Sequence, residues 1–486
     1  MRSAIAGAFQ RVCRDRRADL AVRTLPVARA LTFEDLWAQF SSIHAALTGA
    51  GIGNGTVAVS FVGNRPVFFP LVAAAMEAGT ALVAGGEATE AEALALVAQT
   101  GANAVITDRP LPVSSPLRVK LADGVSLLRL HTPAACRHYG SSVVLKLTSG
   151  STDLPRAAIA SEAHLINDGR HIVTAMGIGA RDINFSCIPL SHSYAVGNVV
   201  MPLLWQGTAA VLRQSFSPSQ FVQDVSASRA SVFPGVPFMF DRLRTSGIER
   251  LPASLRLLIT AGSRTDVDTV RWFRQHLNRK VHSFYGSSET GGITYDDGED
   301  VDDPLHVGRP MPETTVVVRP GDDEDEVGRI FVRGTAVCLG YGEVGSEGSA
   351  STFRDGGFLT GDLGRFDDRG RLVLTGRAST LVNVAGRKVD PSEVERALLG
   401  LPGIADVRVL GMSCDVRGQQ VVAFVIRDDS TLTSVAIRTR CASALSPHKI
   451  PRQFVFLDRF PVDARGKIDQ RALQALASAT RDPRHE

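Results

Sequence analysis

The sequence predicts an α/β protein: a large N-terminal domain with helix-covered parallel sheets and a β-subdomain, plus a small C-terminal α+β domain. Three observations carry that expectation. Residues 31 to 120 alternate between helical and strand patterns, with apolar residues at helical spacing over Leu31 to Leu47 and Val67 to Ala78 and strand-like runs at Val57 to Val62 and Ala102 to Thr107. Such alternation implies a parallel sheet covered by helices. From about Val307 the pattern turns to short strands separated by Gly, Asp and Arg, and after Gly376 a new mixture of helix and strand begins.

The alternating style continues through Ser142 to Leu147, Ala209 to Leu212, Leu255 to Ala261 and Lys280 to Tyr285, each close to a glycine-bearing or polar turn. These turns fall at strand ends, where α/β folds place ligands. The β-subdomain is expected from Thr315 to Arg319, Gly328 to Arg333 and Gly370 to Leu374. The last unit runs helix (Ser392 to Leu399), strand (Val407 to Met412), strand (Val421 to Ile426) and helix (Ser434 to Ala444). The expected division is therefore 1–376 and 377–486.

A chain of 486 residues, 44% of them hydrophobic, is too long for one core and rich enough to build two. Lys and Arg total 53 against 50 Asp and Glu, a formal charge of +3, which gives no bias towards nucleic acid or an anionic membrane. Any anion must be met locally. The six cysteines are scattered without a CxxC pair, so neither a zinc site nor a disulfide scaffold is expected, and a cytoplasmic location fits. No apolar segment near the N-terminus suits a secretory signal. The most apolar stretch, Phe68 to Ala84, is broken by Glu77 and Gly79 and falls short of the ~20 residues of a spanning helix. Buried helix followed by buried strand is the expectation there.

One strand runs into Thr148-Ser149-Gly150-Ser151-Thr152-Asp153-Leu154-Pro155-Arg156, four hydroxyls around a glycine with a cation at the end. Hydroxyls and free backbone N–H groups after a strand are neutral donors for a polyphosphate, and Arg156 adds a charged, bidentate contact. On composition alone a Ser/Thr-rich surface turn fits equally well. The loop lacks the Gly-Lys-Ser/Thr of a Walker loop. It resembles the TSGSTGxPKG loop of the acyl-adenylate-forming superfamily, which includes acyl-CoA synthetases, peptide-synthetase adenylation domains and firefly luciferase. Asp153 and Ala157 stand where that family has glycine, and Arg156 replaces its lysine.

Four further segments resemble the family's motifs in the family's order. Phe284-Tyr285-Gly286-Ser287-Ser288-Glu289-Thr290 is similar to YGxTE, which implies that Tyr285 stacks on the adenine, Gly286 belongs to the ATP/AMP site, Ser288 touches the α-phosphate and Glu289 binds Mg²⁺. A hard carboxylate beside substrate phosphates suits that ion. Without the resemblance, Glu289 also fits an acid at a helix N-terminus. Gly357 to Gly364 resembles GWxxTGDLG, so Asp362 is the expected acceptor of both ribose hydroxyls; by itself it also reads as a turn Asp. The segment from Gly376-Arg377 resembles GRxDDxIxxxGxxVxPxEIE, placing Arg377 at the ribose or phosphate and Gly386 at the thiol tunnel. Ser379 occupies the family's hinge position. Phe460 to Ile468 resembles LPxTxxGKI and makes Lys467 the expected catalytic lysine, where a solvated tail lysine is the plainer alternative.

The acid's pocket is expected from Ile188 to Ala195, which resembles the PLFHxxG segment of CoA ligases. His192 either gates the carboxylate channel or is a core histidine, and Tyr194, Gly235, Phe238 and Gly291 are expected as pocket wall. Amino-acid-activating relatives place an Asp here. None stands between Ile188 and Met201, so an amino acid is not the expected substrate.

The resemblance thus implies ATP- and Mg²⁺-dependent conversion of a small carboxylic acid to acyl-AMP, then to a thioester on coenzyme A, with the C-terminal domain mobile between the two steps. Coenzyme A is the expected acceptor because no carrier domain follows Lys467. The phosphopantetheine of a free-standing acyl carrier protein is the alternative, and a non-catalytic nucleotide-binding homologue is the alternative from another class.

Overall fold

The structure is a computed structural model that describes residues 3–86, 88–131, 139–140, 143–148, 156–299, 303–320, 326–342, 352–378, 382–384, 387–389, 391–414, 418–441, 445, 449–462 and 468–480. Its chain divides into two compact units. One comprises 1–317, 331–359 and 366–373, the other 318–330, 360–365 and 374–486.

The first unit is built on two sheets. A seven-stranded sheet has a parallel centre of Ala104–Thr107, Val57–Phe61, Ala81–Ala84 and Val143–Thr148. The strand Val57–Phe61 is buried at every position and so is Ala81–Ala84, the near-continuous apolar pattern of a sheet covered on both faces. Antiparallel partners close each end. Ser126–Arg129 lies beside Ala104–Thr107, and Arg156–Ser161 returns along Val143–Thr148. The helix Phe68–Ala78 and the strand after it are buried as expected, Phe69 and Leu71 completely. It ends at Gly79, whose φ of 77° is the left-handed stop glycine supplies cheaply.

The second sheet carries the parallel run Leu20–Leu25, Ala209–Arg213, Ile183–Ser186, Val232–Gly235, Leu257–Thr260 and Val281–Ser287. It turns antiparallel at Gly291–Tyr295 and His306–Pro310. The edge hairpin Leu20–Leu25 with Arg29–Thr32 and the N-terminal helix Ala4–Asp15 are additions to the expected elements. In the helix the signal was present, since Ile5, Phe9 and Val12 recur at helical spacing and are buried.

The helix Glu162–Ala175 brings Asp168 up to the second sheet, at the strand Gly291–Tyr295. Ser161 caps it, with the His164 side chain reaching back to the Ser161 N–H at 3.1 Å. It runs directly from the strand Arg156–Ser161, so its buried face, with Leu165, Asp168 and Ile172, is fixed by the same chain that returns from the Thr148–Arg156 loop.

In the second unit, Ile404–Cys414 and Gly418–Arg427 form a long antiparallel pair, extended by Val382–Val384 and by Gln453–Phe456 in parallel. Alternate residues of Gly418–Arg427 enter two cores. Val421, Ala423 and Val425 pack with Val394 and Leu398 of the helix Pro391–Leu399, and Val422 and Phe424 with Leu473 and Ala477 of Gln470–Ala479. The unbroken apolar run Val421 to Ile426 is thereby explained.

Candidate adenylate-forming site

The site's first piece is a hairpin. Val281–Ser287 and Gly291–Tyr295 pair antiparallel, with a register shift between Tyr285 and Gly286, and turn at Ser288-Glu289-Thr290. Glu289 is therefore a turn residue and not the acid of a helix N-terminus. Two glycines make the hairpin possible. A Cβ on Gly286 would lie 2.6 Å from the Gly291 carbonyl oxygen, and Gly291 has a φ of +68° with the Asp168 carboxylate 2.4 Å from where its Cβ would stand.

Asp168, 3% exposed, accepts the Gly292 N–H at 2.8 Å and pins the hairpin from below. Burial pushes its carboxyl above the ordinary range, against the opposing pull of the Lys146 ammonium and the Gly292 N–H. Lys146, on Val143–Thr148, is 2% exposed, and among the described residues its ammonium has no hydrogen-bond partner.

Glu289 is held from above. The Tyr341 hydroxyl donates to Glu289 Oε1 at 2.6 Å, and the Cys338 N–H donates to the Glu289 carbonyl at 2.8 Å. The segment around Tyr341 is itself tied to the strand returning from the phosphate loop: Leu339 N–H to Ile159 O at 2.9 Å, Ile159 N–H to Gly340 O at 2.9 Å and Gly342 N–H to Ala157 O at 2.8 Å. The returning strand, the 338–342 segment and the Glu289 turn thus form one hydrogen-bonded ladder. Sequence reasoning missed Tyr341. Its one available signal is the pair of flanking glycines, Gly340 and Gly342, which let the chain pass close to other backbone.

The segment expected beside the acid meets the hairpin directly. The Ser193 hydroxyl donates to Ser288 Oγ at 2.8 Å. Tyr194 stacks on Phe284 with ring centroids 5.8 Å apart, and its hydroxyl donates to the Ile259 carbonyl at 3.3 Å. Asn64, buried at the end of the first sheet, clamps this segment by donating to Ile188 O at 3.1 Å and accepting the Leu190 N–H at 2.9 Å. His192 is exposed, which removes the core-histidine alternative. Phe238 is 58% exposed, with the Arg242 guanidinium 5.2 Å from its ring centre. Gly235 ends the strand Val232–Gly235, packed against Phe233 and Phe240.

In the second unit, Arg377 Nε lies 2.7 Å from Asp362 Oδ1, bringing together the two residues expected at the ribose. Tyr285 is buried near the end of its strand, and Thr148 pairs with Arg156 where the loop expected to hold phosphate leaves and rejoins the sheet. Ser149, Gly150, Ser151, Thr152, Ser379, Gly386 and Lys467 lie outside the described residues.

The donor set fits a Mg²⁺ ion shared with substrate phosphates. Tyr341 occupies Oε1 of Glu289, and among the described residues Oε2 carries no partner, so one hard oxygen is left for the ion.

Comparison with known proteins agrees with this geometry. Residues 9–342 match the family model for AMP-binding enzymes, and residues 393–467 match that of the AMP-binding enzyme C-terminal domain. The chain belongs to the AMP-binding enzyme family. It is 25% identical to the 2-succinylbenzoate–CoA ligase of Bacillus licheniformis over 452 residues, covering 90% of this chain and 93% of that one. It is 26% identical to the L-proline–[L-prolyl-carrier protein] ligase of Streptomyces coelicolor over 528 aligned positions, covering 97% of each. With several other curated relatives the match spans only 62% to 66% of the relative's length. Among solved structures, ATP-bound MatB from Rhodopseudomonas palustris superposes with a TM-score of 0.82 at 23% identity, covering 97% of this chain and 98% of that one. The α/β architecture expected from the sequence is the architecture of this family. No described helix of this AMP-binding enzyme is long and apolar enough to cross a membrane.

Proposed function

We propose that this AMP-binding enzyme activates a carboxylic acid with ATP and Mg²⁺ and passes the acyl group to the thiol of coenzyme A. A carboxylate oxygen attacks the α-phosphorus of ATP, the bond to the bridging oxygen breaks and pyrophosphate leaves. The thiol sulfur then attacks the acyl carbon, AMP leaves with the bonding pair and the thiol proton passes to solvent. Bound Mg²⁺ supplies charge neutralisation on the phosphate oxygens. Positioning and electrostatics carry the rest.

The observation that supports this reading most is the ladder joining the strand after the phosphate loop, through Tyr341, to Glu289. It couples the two segments whose family counterparts contact the phosphates. Ser288 would meet the α-phosphate with its hydroxyl oriented by Ser193, and Asp362 with Arg377 would hold the ribose. Lys467, Arg156 and the hydroxyls Thr148, Ser149, Ser151 and Thr152 are assigned to the phosphates on the resemblance of their motifs. Gly386 is assigned to the thiol tunnel on the same ground, and 1–376 and 377–486 as the two domains.

The relative that acts on a carrier protein supports a second acceptor, the phosphopantetheine thiol of a free-standing carrier. The test is product analysis with acid, ATP and either thiol. Appearance of AMP, pyrophosphate and a thioester supports the reading, and the thiol consumed names the acceptor. ADP and phosphate as products, or nucleotide binding with no acid-dependent turnover, would remove it.

A further inference from the structure

We propose that Lys146 is a positioning residue for the adenylation step: its buried ammonium holds the Asp168 carboxylate against the Glu289 hairpin and so sets where the Glu289 carboxylate stands. The inference rests on the ligase reading above, and Lys146 lies outside every motif that supports that reading.

Strand register puts Lys146 and Tyr341 on one face of the first sheet. Lys146 pairs with Ala158, and Ala158 bridges to Tyr341, so the three side chains project the same way with only a methyl group between the two long ones. Tyr341 uses its hydroxyl on Glu289 Oε1 at 2.6 Å. Lys146 is 2% exposed, and among the described residues its ammonium has no hydrogen-bond partner. A cation so far from water is tolerated where an anion faces it, because removing either partner leaves an uncompensated buried charge.

That anion is Asp168. Burial pushes its carboxyl up, and the largest opposing pull is that of the Lys146 ammonium, ahead of the Gly292 N–H and His171. The Cys338 thiol, pushed up to about 11 by burial, feels the same ammonium together with Glu289 and Asp168. Cys338 donates its thiol to the Ser288 carbonyl at 3.4 Å and its N–H to the Glu289 carbonyl at 2.8 Å. The Lys146 charge therefore acts on both holds of the hairpin, the Asp168 contact on one side and the Cys338 contact on the other.

The Asp168 carboxylate has no slack. Oδ1 accepts the Gly292 N–H at 2.8 Å and stands 2.4 Å from where a Cβ on Gly291 would be, and Oδ2 stands 2.8 Å from where one on Gly197 would be. Any shift of the carboxylate is passed to Gly291, the residue directly after the Ser288-Glu289-Thr290 turn. Deprived of the ammonium, Asp168 must take up a proton or move towards another donor, and either change loosens its grip on Gly292.

The test is calorimetric titration of the full chain with ATP, in Mg²⁺ and in EDTA, which needs no acid. Wild type is expected to bind ATP more tightly in Mg²⁺. Lys146→Met, or Lys146→Gln should the apolar side chain prevent folding, is expected to lose at least ~tenfold of the affinity measured in Mg²⁺, the scale of one hydrogen bond to a charged group, and at most about twofold of that measured in EDTA. The double variant Lys146→Met/Asp168→Asn removes both charges and leaves an acceptor for the Gly292 N–H, so it is expected to recover most of the Mg²⁺-dependent affinity. An unchanged Mg²⁺ effect in the single variants overturns the inference. So does an equal loss in Mg²⁺ and EDTA, which marks a structural role. A double variant no better than the single, or unfolded like it, shows that Lys146 does not act through Asp168 and overturns the inference too. In each of these cases the ligase reading stands. Wild type that binds no ATP in either medium overturns the ligase reading, and this inference with it.

Discussion

The Tyr341 hydroxyl donates to Glu289 Oε1 across 2.6 Å, so the carboxylate expected to hold Mg²⁺ is oriented by a residue fifty-two positions further along the chain. A hydrogen bond to a charged group contributes about 1.5–3 kcal/mol, or roughly tenfold to a hundredfold in a rate that depends on the carboxylate's position. Tyr341→Phe is expected to lower the adenylation rate by that factor and to raise the Mg²⁺ concentration needed for half-maximal activity, with the melting temperature little changed. Unchanged Mg²⁺ dependence would mean that Tyr341 does not position Glu289.

Glu289→Gln keeps the shape and most of the hydrogen bonding but removes the hard anionic ligand. Adenylation is expected to be lost at every Mg²⁺ concentration while circular dichroism and the unfolding temperature stay near wild type. Normal turnover at limiting Mg²⁺ would remove Glu289 from the site.

The strands that frame this site were legible in the sequence because the Thr148–Arg156 and Tyr285–Glu289 segments place glycine and hydroxyl residues where strands end. The strand runs at Val57, Ala209, Leu255 and Lys280 were legible because strands buried on both faces are continuously apolar. The supports were not. Tyr341, Asn64 and Asp168 act through one or two long-range hydrogen bonds each, and nothing local in the chain announces a partner 52, 124 or 126 residues away. Phe238 was expected in the pocket from its position in the family pattern. On the helix Pro237–Thr245 it faces solvent, and Met239 and Phe240 turn inward instead.

Asp168→Ala removes the acceptor of the Gly292 N–H and leaves Lys146 buried without its opposing charge. Leaving the buried Gly292 N–H without an acceptor costs about 1–3 kcal/mol. Asp168→Asn retains an acceptor for the N–H, so its melting temperature should lie between those of Asp168→Ala and wild type. Equal melting temperatures for all three proteins would show that the contact does not hold the hairpin.

Burial pushes the His282 imidazole below its ordinary value, a fall opposed by its hydrogen bond to the Asp296 carbonyl at 2.8 Å. Because the folded state gives up the proton more readily, the unfolded chain binds more protons at pH values below about 6.5, and stability falls as pH drops through that value towards the folded pKa. His282→Asn, which keeps a donor near the Asp296 carbonyl, is expected to flatten the acid side of the stability curve. A variant whose curve parallels wild type between neutral pH and pH ~5 would place the acid sensitivity elsewhere.

Removing a preorganised donor from developing negative charge costs on the order of 3 kcal/mol, roughly a hundredfold in rate. Lys467→Ala is therefore expected to slow acyl-AMP formation by about that factor, yet to convert supplied acyl-AMP to thioester at near the wild-type rate. Equal loss of both half-reactions would indicate a structural role for the lysine and no alternation between two chemistries.

In the proposed reaction the carboxylate of an organic acid attacks the α-phosphate of ATP at the Glu289 hairpin. Incorporation of labelled pyrophosphate into ATP, measured with and without acid in the absence of any thiol, tests it most directly. Exchange is expected to require both the acid and Mg²⁺ and to be lost in Glu289→Gln. Exchange that proceeds without acid, or that persists undiminished in Glu289→Gln, would contradict it.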